Sequence, residues 1–227
     1  MVIEEEIKPE ESYNVNLTLD HVLSIGKKGT GKITLDAFYN YFTNQIIPDY
    51  DTDPTKIIYD NLDFRSEAKG ISATLNYFQG PFSLEGNFML QRVNELVQSF
   101  EGKTERERQP FTPDFTSNIR ARYSFKSLGL KAVSNIKIVG PQRLPLYDAP
   151  FTRPTESTTF AQVSARLSKD FGKNLNLGIG VKNLLNYTQD SPLINPSAPF
   201  SDTFDTAYAY GPLQTRRFYV SVNYQLR

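Results

Sequence analysis

Nine segments of the chain alternate apolar and polar residues with a period of two. In the last of them, every second residue from Phe218 to Leu226 is apolar. A β-strand points successive side chains to opposite faces of a sheet, so this pattern predicts strands with one apolar and one largely polar face. The nine predicted strands cover approximately residues 13–19, 32–41, 71–77, 82–91, 115–125, 130–138, 161–167, 174–182 and 218–226.

Short and long connections alternate between these predicted strands. The short ones contain glycine, as hairpin turns do: SIGKKGTG, FQGPF, KSLG and KDFGKN. The long ones are polar and lie around residues 43–65, 93–113, 140–156 and 184–215. An up-and-down barrel in the outer membrane has short turns on its periplasmic side and long loops outside. The order therefore favours such a barrel over a soluble sandwich, whose Greek-key connections would mix the two lengths.

The two faces of the predicted strands differ in charge. A lumen filled by water or by another domain accepts charged side chains, and the mid-strand charges all fall on the polar face: Asp36, Glu85, Arg120, Arg122, Lys131, Lys137 and Arg166. The 16 Phe and 13 Tyr residues concentrate near strand ends, as in the aromatic girdles of membrane barrels. We therefore expect the apolar face to contact outer-membrane lipid and the polar face to line a lumen.

Two segments do not show a clear period of two. The stretch MLQRVNELVQSF (residues 89–100) has three apolar residues at helical spacing. We interpret it as the outer end of a strand that runs into a loop, with a short helical turn as an option. The run KTERERQ (residues 103–109) is interpreted as a solvated loop.

The composition excludes several classes of function. Lys and Arg together equal Asp and Glu in number, and there is no basic stripe, so nucleic acid is not an expected partner. Cysteine is absent and His21 is the only histidine, which leaves no thiolate or His-rich metal site. We interpret His21 as a polar residue at a periplasmic strand end. No catalytic constellation is recognisable, so we expect neither an enzyme nor a bound cofactor.

The strand count and the first residues predict that the sequence is part of a longer protein. Single-chain bacterial barrels have an even number of strands, and an open nine-stranded sheet would leave two bare edges in lipid. The opening MVIEEEIKPEES is acidic and has no apolar stretch of the kind found in signal peptides. We therefore expect residues 1–227 to be the C-terminal part of a larger barrel.

Three phrases carry a resemblance to one family. LGIGVKNLLNYTQD (residues 177–190) resembles the next-to-last strand and following loop of TonB-dependent outer-membrane receptors. YGPLQTRRFYVSVNYQLR (residues 210–227) resembles their closing strand, although it ends in Arg227 where the family usually ends in Phe. IKPEESYNVNLTLDH (residues 7–21) resembles the phrase that leads into a mid-barrel strand.

This resemblance implies a bacterial outer-membrane receptor with a barrel of about 22 strands around an N-terminal plug domain. Such a receptor takes up a scarce ligand, such as an iron–siderophore, cobalamin or a glycan, with energy supplied through a TonB-type coupling protein. Neither the plug nor a signal peptide is in this sequence. A passive outer-membrane channel or another barrel protein is the alternative, and a soluble β-sheet binding protein is the third hypothesis.

Three of the long connections hold candidate binding residues. Asp49, Asp51 and Asp53 alternate in IIPDYDTDPTK and offer oxygen ligands of the kind calcium prefers, but a solvated, turn-forming loop is the favoured interpretation and we assign no metal. Arg143, Tyr147, Arg153 and Tyr187 lie in or beside long loops. These four would suit an anionic or aromatic transported ligand. The alternatives are ordinary loop surface or contact with lipopolysaccharide phosphates.

Overall fold

The computed structural model describes residues 2–3, 7–25, 28–49, 57–61, 65–98 and 104–226. They form a large antiparallel sheet, a small three-stranded sheet and a 3-10 turn at Lys126–Leu128. The strands are β1 Val2–Ile3, β2 Ser12–Ile25, β3 Gly29–Phe42, β4 Ile46–Asp49, β5 Ile58–Asn61, β6 Arg65–Gln79, β7 Phe82–Gln98, β8 Thr104–Arg108, β9 Phe115–Phe125, β10 Leu130–Val139, β11 Phe160–Phe171, β12 Leu175–Lys182 and β13 Arg217–Tyr224. In these ranges no helix is long and apolar enough to cross a membrane, which does not bear on crossing by strands.

The large sheet follows the chain in up-and-down order. Its path is β2, β3, β6, β7, β9, β10, β11, β12 and β13, and β8 pairs with the outer end of β7. These nine path strands are the nine predicted from the alternating pattern, so that prediction is confirmed. Each pair on the path is antiparallel. Short turns join the strands at one end and long connections at the other, as the loop order predicts.

The register aligns the apolar residues into continuous rows. One row crosses six neighbouring strands, and each of its members is paired with the next: Ile33, Leu75, Gly86, Ile119, Ile136 and Val163. Because side chains alternate along every strand, fixing one row fixes all the others on that face. The apolar half of each strand therefore forms one surface, which we call the outward face.

Within the part of the chain that the structure describes, the outward face is not covered by protein. On interior strands, Ile71 is 56% exposed and Ile179 is 58% exposed. The buried apolar residues lie instead at the end of the sheet where the long connections gather: Val139, Leu144, Phe160, Ile194 and Tyr208. A soluble sandwich would bury the strand faces against each other. Uncovered rows of large apolar side chains over a whole sheet are what a lipid-facing barrel wall presents.

The opposite face, which we call the lumen face, is held by polar contacts between neighbouring strands. The Thr18 hydroxyl donates to Asp36 at 2.6 Å, and the Thr34 hydroxyl donates to Asp20 at 2.6 Å. Lys32 forms an ion pair with the same Asp20 at 3.0 Å. Asp36 and the other charges assigned to the polar face belong to strands whose alternate residues point outward, as predicted.

Three of the short turns use glycine with a positive φ angle. Gly80, Gly129 and Gly172 have φ values of 57°, 63° and 63°. Glycine reaches this left-handed region without the steric cost that a Cβ imposes. These glycines therefore allow the tight reversals that place consecutive spanning strands side by side.

Two interpretations of the long connections need correction. Residues 89–98 continue strand β7, so the optional helical turn does not form there. The segment Thr104–Arg108 is a strand, β8, not a solvated loop, because it extends the sheet beyond the end of β9 by pairing with β7. The small sheet of β1, β5 and β4 was not predicted either. Its strands have two to four residues, which is too short for a period of two to stand out.

Candidate ligand-binding site

The long connections fold together instead of standing apart. Leu144 and Ile194 are almost completely buried, and Tyr208 is buried with them. Half-buried aromatic residues from three connections surround this cluster: Phe111, Tyr147, Phe151 and Tyr210. We call this cluster the loop core. It gives the outer end of the sheet a fixed surface, because loops that share a hydrophobic cluster restrict one another.

Five aromatic rings form a continuous row through the loop core. The ring of Phe160 stacks on Tyr187 with centroids 5.3 Å apart, and it lies 6.4 Å from Tyr210. The Tyr208 ring lies 6.1 Å from Tyr210 and 5.9 Å from Tyr147. Edge-to-face and offset contacts at such separations are favourable. We call these five residues the aromatic row.

Two tyrosines of the aromatic row donate hydrogen bonds to neighbouring loop residues. The Tyr147 hydroxyl donates to Asp205 at 2.5 Å, and the Tyr208 hydroxyl donates to the carbonyl of Pro154 at 2.9 Å. Burial raises the pKa of Tyr208 above its ordinary value. The pKa of Tyr210 is also raised, mainly by burial and to a smaller extent by the neighbouring Tyr187. Tyr208 and Tyr210 therefore offer ring faces and uncharged phenol groups, which suit an aromatic ligand.

Ion pairs connect β8 to the two connections beside it. Arg108 pairs with Asp114 at 2.9 Å and with Glu156 at 2.7 Å. Asp114 also pairs with Arg92 at 3.3 Å. Arg108 of the KTERERQ segment is therefore held by ion pairs to the connection before β9 and to the connection after β10.

The four residues predicted to face a ligand occupy different environments. Arg143 forms an ion pair with Glu107 at 3.1 Å, and its side chain is 18% exposed. Tyr147 and Tyr187 belong to the aromatic row. Arg153 Nη1 donates to the carbonyl of Thr152 at 3.3 Å, and its charge acts on Tyr208. The structure thus brings Tyr147, Tyr187 and Arg153 to one loop cluster and holds Arg143 against β8; their role in binding remains a prediction.

The three aspartates considered as calcium ligands begin at the end of β4. Asp49 is the last residue of β4, and Asp51 and Asp53 lie outside the described residues.

A residue that was not predicted from the sequence, Asn183, organises the last long connection. Asn183 is 5% exposed and has a φ of 51°. Its side-chain amide donates to the carbonyls of Tyr187 at 2.7 Å and Gln214 at 2.9 Å. Asparagine tolerates the left-handed region better than most residues, and this tolerance was the available signal in KNLLN. The two ends of the connection are therefore joined through one side chain.

A cavity of about 700 Å³ opens on the lumen face beneath the loops. The segment 212–215 lines its outer side. The charged lining consists of one carboxylate, Glu85, and four cations: Arg120, Lys137, Lys182 and Arg217. Amide side chains of Asn87, Asn118 and Gln162 fill the spaces between them. The excess of positive charge makes this part of the lumen wall suited to groups rich in anionic oxygen.

A sequence model described as the β-barrel of TonB-dependent receptor-like proteins matches residues 4–184. No curated protein matches the chain in sequence. The fold is similar to that of the ferric-catecholate import receptor Fiu from Escherichia coli K12, with a TM-score of 0.64 and 13% identity. It is also similar to the outer-membrane ferripyoverdine receptor of Pseudomonas aeruginosa, at 0.65 and 16%. The copper transporter OprC has a TM-score of 0.65 and 16% identity.

These similarities cover nearly the whole chain but only a minor part of each receptor. The alignments include 96% of this chain with 28% of Fiu, 96% with 27% of the ferripyoverdine receptor, and 97% with 32% of OprC. The chain thus spans about a third or less of the length of these receptors. The match to the family model covers most of the sequence and agrees with the nine-stranded path and its lipid-facing rows. The chain belongs to the TonB-dependent receptor-like β-barrel family of the bacterial outer membrane.

Proposed function

We propose that this chain forms the C-terminal wall and outer loops of a receptor that actively imports a small anionic chelate, such as an iron–siderophore complex. The observation that carries the proposal is the lumen cavity, where four cations face one carboxylate. No described residue forms an ion pair with Arg120, Lys137, Lys182 or Arg217. These positive charges are thus available to a ligand or domain that enters the lumen.

The outer surface complements the cavity. The aromatic row supplies ring faces and neutral phenols, and Arg153 adds a positive charge beside Tyr208. Aromatic rings with a nearby guanidinium favour flat, electron-rich and negatively charged groups. A ligand of that chemistry would meet the loop core first and the cations below it second. An uncharged glycan would not complement the charge of these cations, so the anionic class is favoured.

Active import would involve two further components. We propose that a plug domain occupies the lumen against this wall and that a TonB-type protein couples transport to the inner membrane. The names of the similar receptors support the cargo class only by analogy, since they describe a ferric catecholate, ferripyoverdine and copper for those proteins.

The test is uptake in the bacterium that encodes the chain. Deleting the gene should reduce uptake of one radioactive ferric siderophore under iron limitation, and restoring the gene should recover it. Replacing Lys137 and Lys182 together by Gln should lower uptake several-fold with unchanged amounts of receptor in the outer membrane. The pair Ser72→Ala and Ser124→Ala, on the same face but outside the cavity, serves as the matched control.

A protonophore separates active import from a passive channel. Collapse of the proton-motive force should abolish uptake through this receptor. Uptake that continues undiminished, and that rises linearly with ligand concentration, would support the passive channel and contradict the proposal.

A further inference from the structure

The outward face contains a groove of about 850 Å³ whose lining is mainly hydrocarbon. Its floor consists of small residues that are paired across three neighbouring strands: Ala121 faces Ser134, and Ser134 faces Ala165. Ala132, two residues before Ser134, widens the floor. These residues all have outward-pointing side chains, so the groove opens toward the membrane and not toward the lumen.

Larger side chains form the two walls of the groove. On one side the next paired row is Ile119, Ile136 and Val163. On the other side the lining includes Tyr123, Leu167 and Ile179. Apart from Phe82 of β7, the lining residues extend from β9 to β13, which at about 4.8 Å between strands corresponds to a length of about 19 Å. The groove is therefore long, narrow and apolar, a shape that matches an extended hydrocarbon chain.

One end of the groove lies at the membrane boundary on the short-turn side. Phe82, the first residue of β7, and its paired neighbour Tyr123 line this end. Aromatic residues at such a position mark the interface of a membrane barrel. By the convention that short turns are periplasmic, this end opens into the periplasmic leaflet.

Arg122 and Arg166 are among the lining residues of the groove, but they occupy lumen-face positions. Among the outward-pointing residues, one cation lies near the groove. Lys169 follows Leu167 by two residues on β11, and its ammonium lies 5.3 Å from the centroid of the Phe171 ring. The Lys169 side chain is exposed, and among the described strand residues it is the only lysine or arginine on the outward face at the short-turn end. A positive charge at the edge of an apolar groove complements a lipid that has a negative headgroup.

We propose that this groove binds one acyl chain of an anionic phospholipid from the periplasmic leaflet, and that Lys169 pairs with its phosphate. The small floor lets the chain approach the sheet closely and gain dispersion contacts that a bulkier row would prevent. Lipopolysaccharide occupies the opposite, outer leaflet, so it would not enter the groove from the end lined by Phe82 and Tyr123. The proposal depends on the membrane location of the barrel and is independent of what the receptor transports.

The test is native mass spectrometry of the whole receptor in detergent, with phosphatidylglycerol and phosphatidylethanolamine added in equal amounts. The unaltered receptor should retain phosphatidylglycerol preferentially. Lys169→Gln should reduce that preference to near equality, because the headgroup charge is no longer recognised. Ala165→Leu should fill the groove and remove one retained lipid of either kind. Ala37→Leu makes the same change on the outward face of β3, away from the groove, and should behave as the unaltered receptor.

Three results would overturn the proposal. The first is an unchanged number of retained lipids in Ala165→Leu, and the second is an unchanged headgroup preference in Lys169→Gln. The third is lipopolysaccharide as the molecule lost when the groove is filled. Each variant is first checked for the gel-mobility shift on heating that reports a folded barrel. If Ala165→Leu fails this check, Ala165→Val replaces it with the same expected direction.

Discussion

The side-chain amide of Asn183 donates a hydrogen bond to the carbonyl of Gln214 at 2.9 Å, across 31 positions of sequence. Asn183 directly follows β12, and Gln214 lies just before β13. The same amide contacts Tyr187, which stacks in the aromatic row. One side chain thus closes the base of the last long connection and fixes the ring that heads the row. The loop core and the lumen cavity share this anchor, because both Asn183 and Gln214 line the cavity.

Removing the anchor should open the last connection. Asn183→Ala leaves the carbonyls of Tyr187 and Gln214 without their donor, at a cost of about 1–3 kcal/mol. Trypsin can report the change, since Arg216 is held at the base by a bond from its Nε to the carbonyl of Leu184. We expect cleavage after Arg216 to accelerate clearly in the variant. Asn14→Ala removes an exposed asparagine from β2 and should leave the cleavage rate unchanged; equal rates in both variants would refute the anchor role.

The Arg108 ion pairs should show a small, salt-dependent coupling. Arg108 and Glu156 are 26% and 54% exposed, so water competes with their attraction. A double-mutant cycle with Arg108→Gln and Glu156→Gln should give a coupling energy of about 0.5–1 kcal/mol at low salt. The measurement is the midpoint of heat-induced gel-mobility change in detergent. The coupling should fall toward zero at about 1 M salt because screening shortens the reach of both charges.

Two glycines on neighbouring strands should respond differently to the same substitution. A Cβ added at Gly70 would lie 2.5 Å from the carbonyl oxygen of Leu90 and 2.8 Å from the ring of Phe38. At Gly86 an added Cβ would meet nothing within 4 Å. Gly70→Ala should therefore destabilise the barrel by about 1–3 kcal/mol through overpacking. Gly86→Ala should be neutral or slightly stabilising, since alanine loses less conformational freedom in a strand.

The same heat-modification assay compares the two glycine variants directly. A lower midpoint for Gly70→Ala alone is the expected result. If both variants lose stability equally, the close approach of Phe38 to Gly70 does not control the packing of β3 on β6.

The strands and their two faces could be predicted because a period of two is repeated on every strand. A shift of one residue would move all the apolar side chains of a strand to the opposite face, so the pattern leaves one assignment. The pairing of Ile119 with Ile136, for example, follows once both are assigned outward and joined by a short turn. The loop core could not be predicted in this way. Leu144, Ile194 and Tyr208 come from connections without any periodicity, and their contact depends on loops that meet only in the folded chain. Asn183 was missed for a related reason: the connection that it closes is visible only through Gln214, which lies 31 positions away.

Alkaline pH should loosen the loop core before it affects the strands. Burial raises the pKa of Tyr208 and Tyr210 above the 10.0 of a free tyrosine, so the neutral phenols are favoured in the folded loops. The stability linked to these phenols is fully present below pH 10 and is lost as the pH rises through the folded-state pKa values. The positive charge of Arg153 opposes part of the shift at Tyr208.

Tyrosinate absorbance and proteolysis together test this pH dependence. In the whole receptor, we expect two tyrosines to ionise later than the exposed ones and tryptic cleavage after Arg216 to rise over the same interval. Tyr208→Phe keeps the ring and removes the ionisable group, so it should remove one late-titrating tyrosine and move the onset of cleavage to higher pH. The Tyr13→Phe variant, altered at an exposed ring on β2, should change neither onset. Cleavage that begins well below pH 10 would show that other groups open the connection, because neither phenol is charged there.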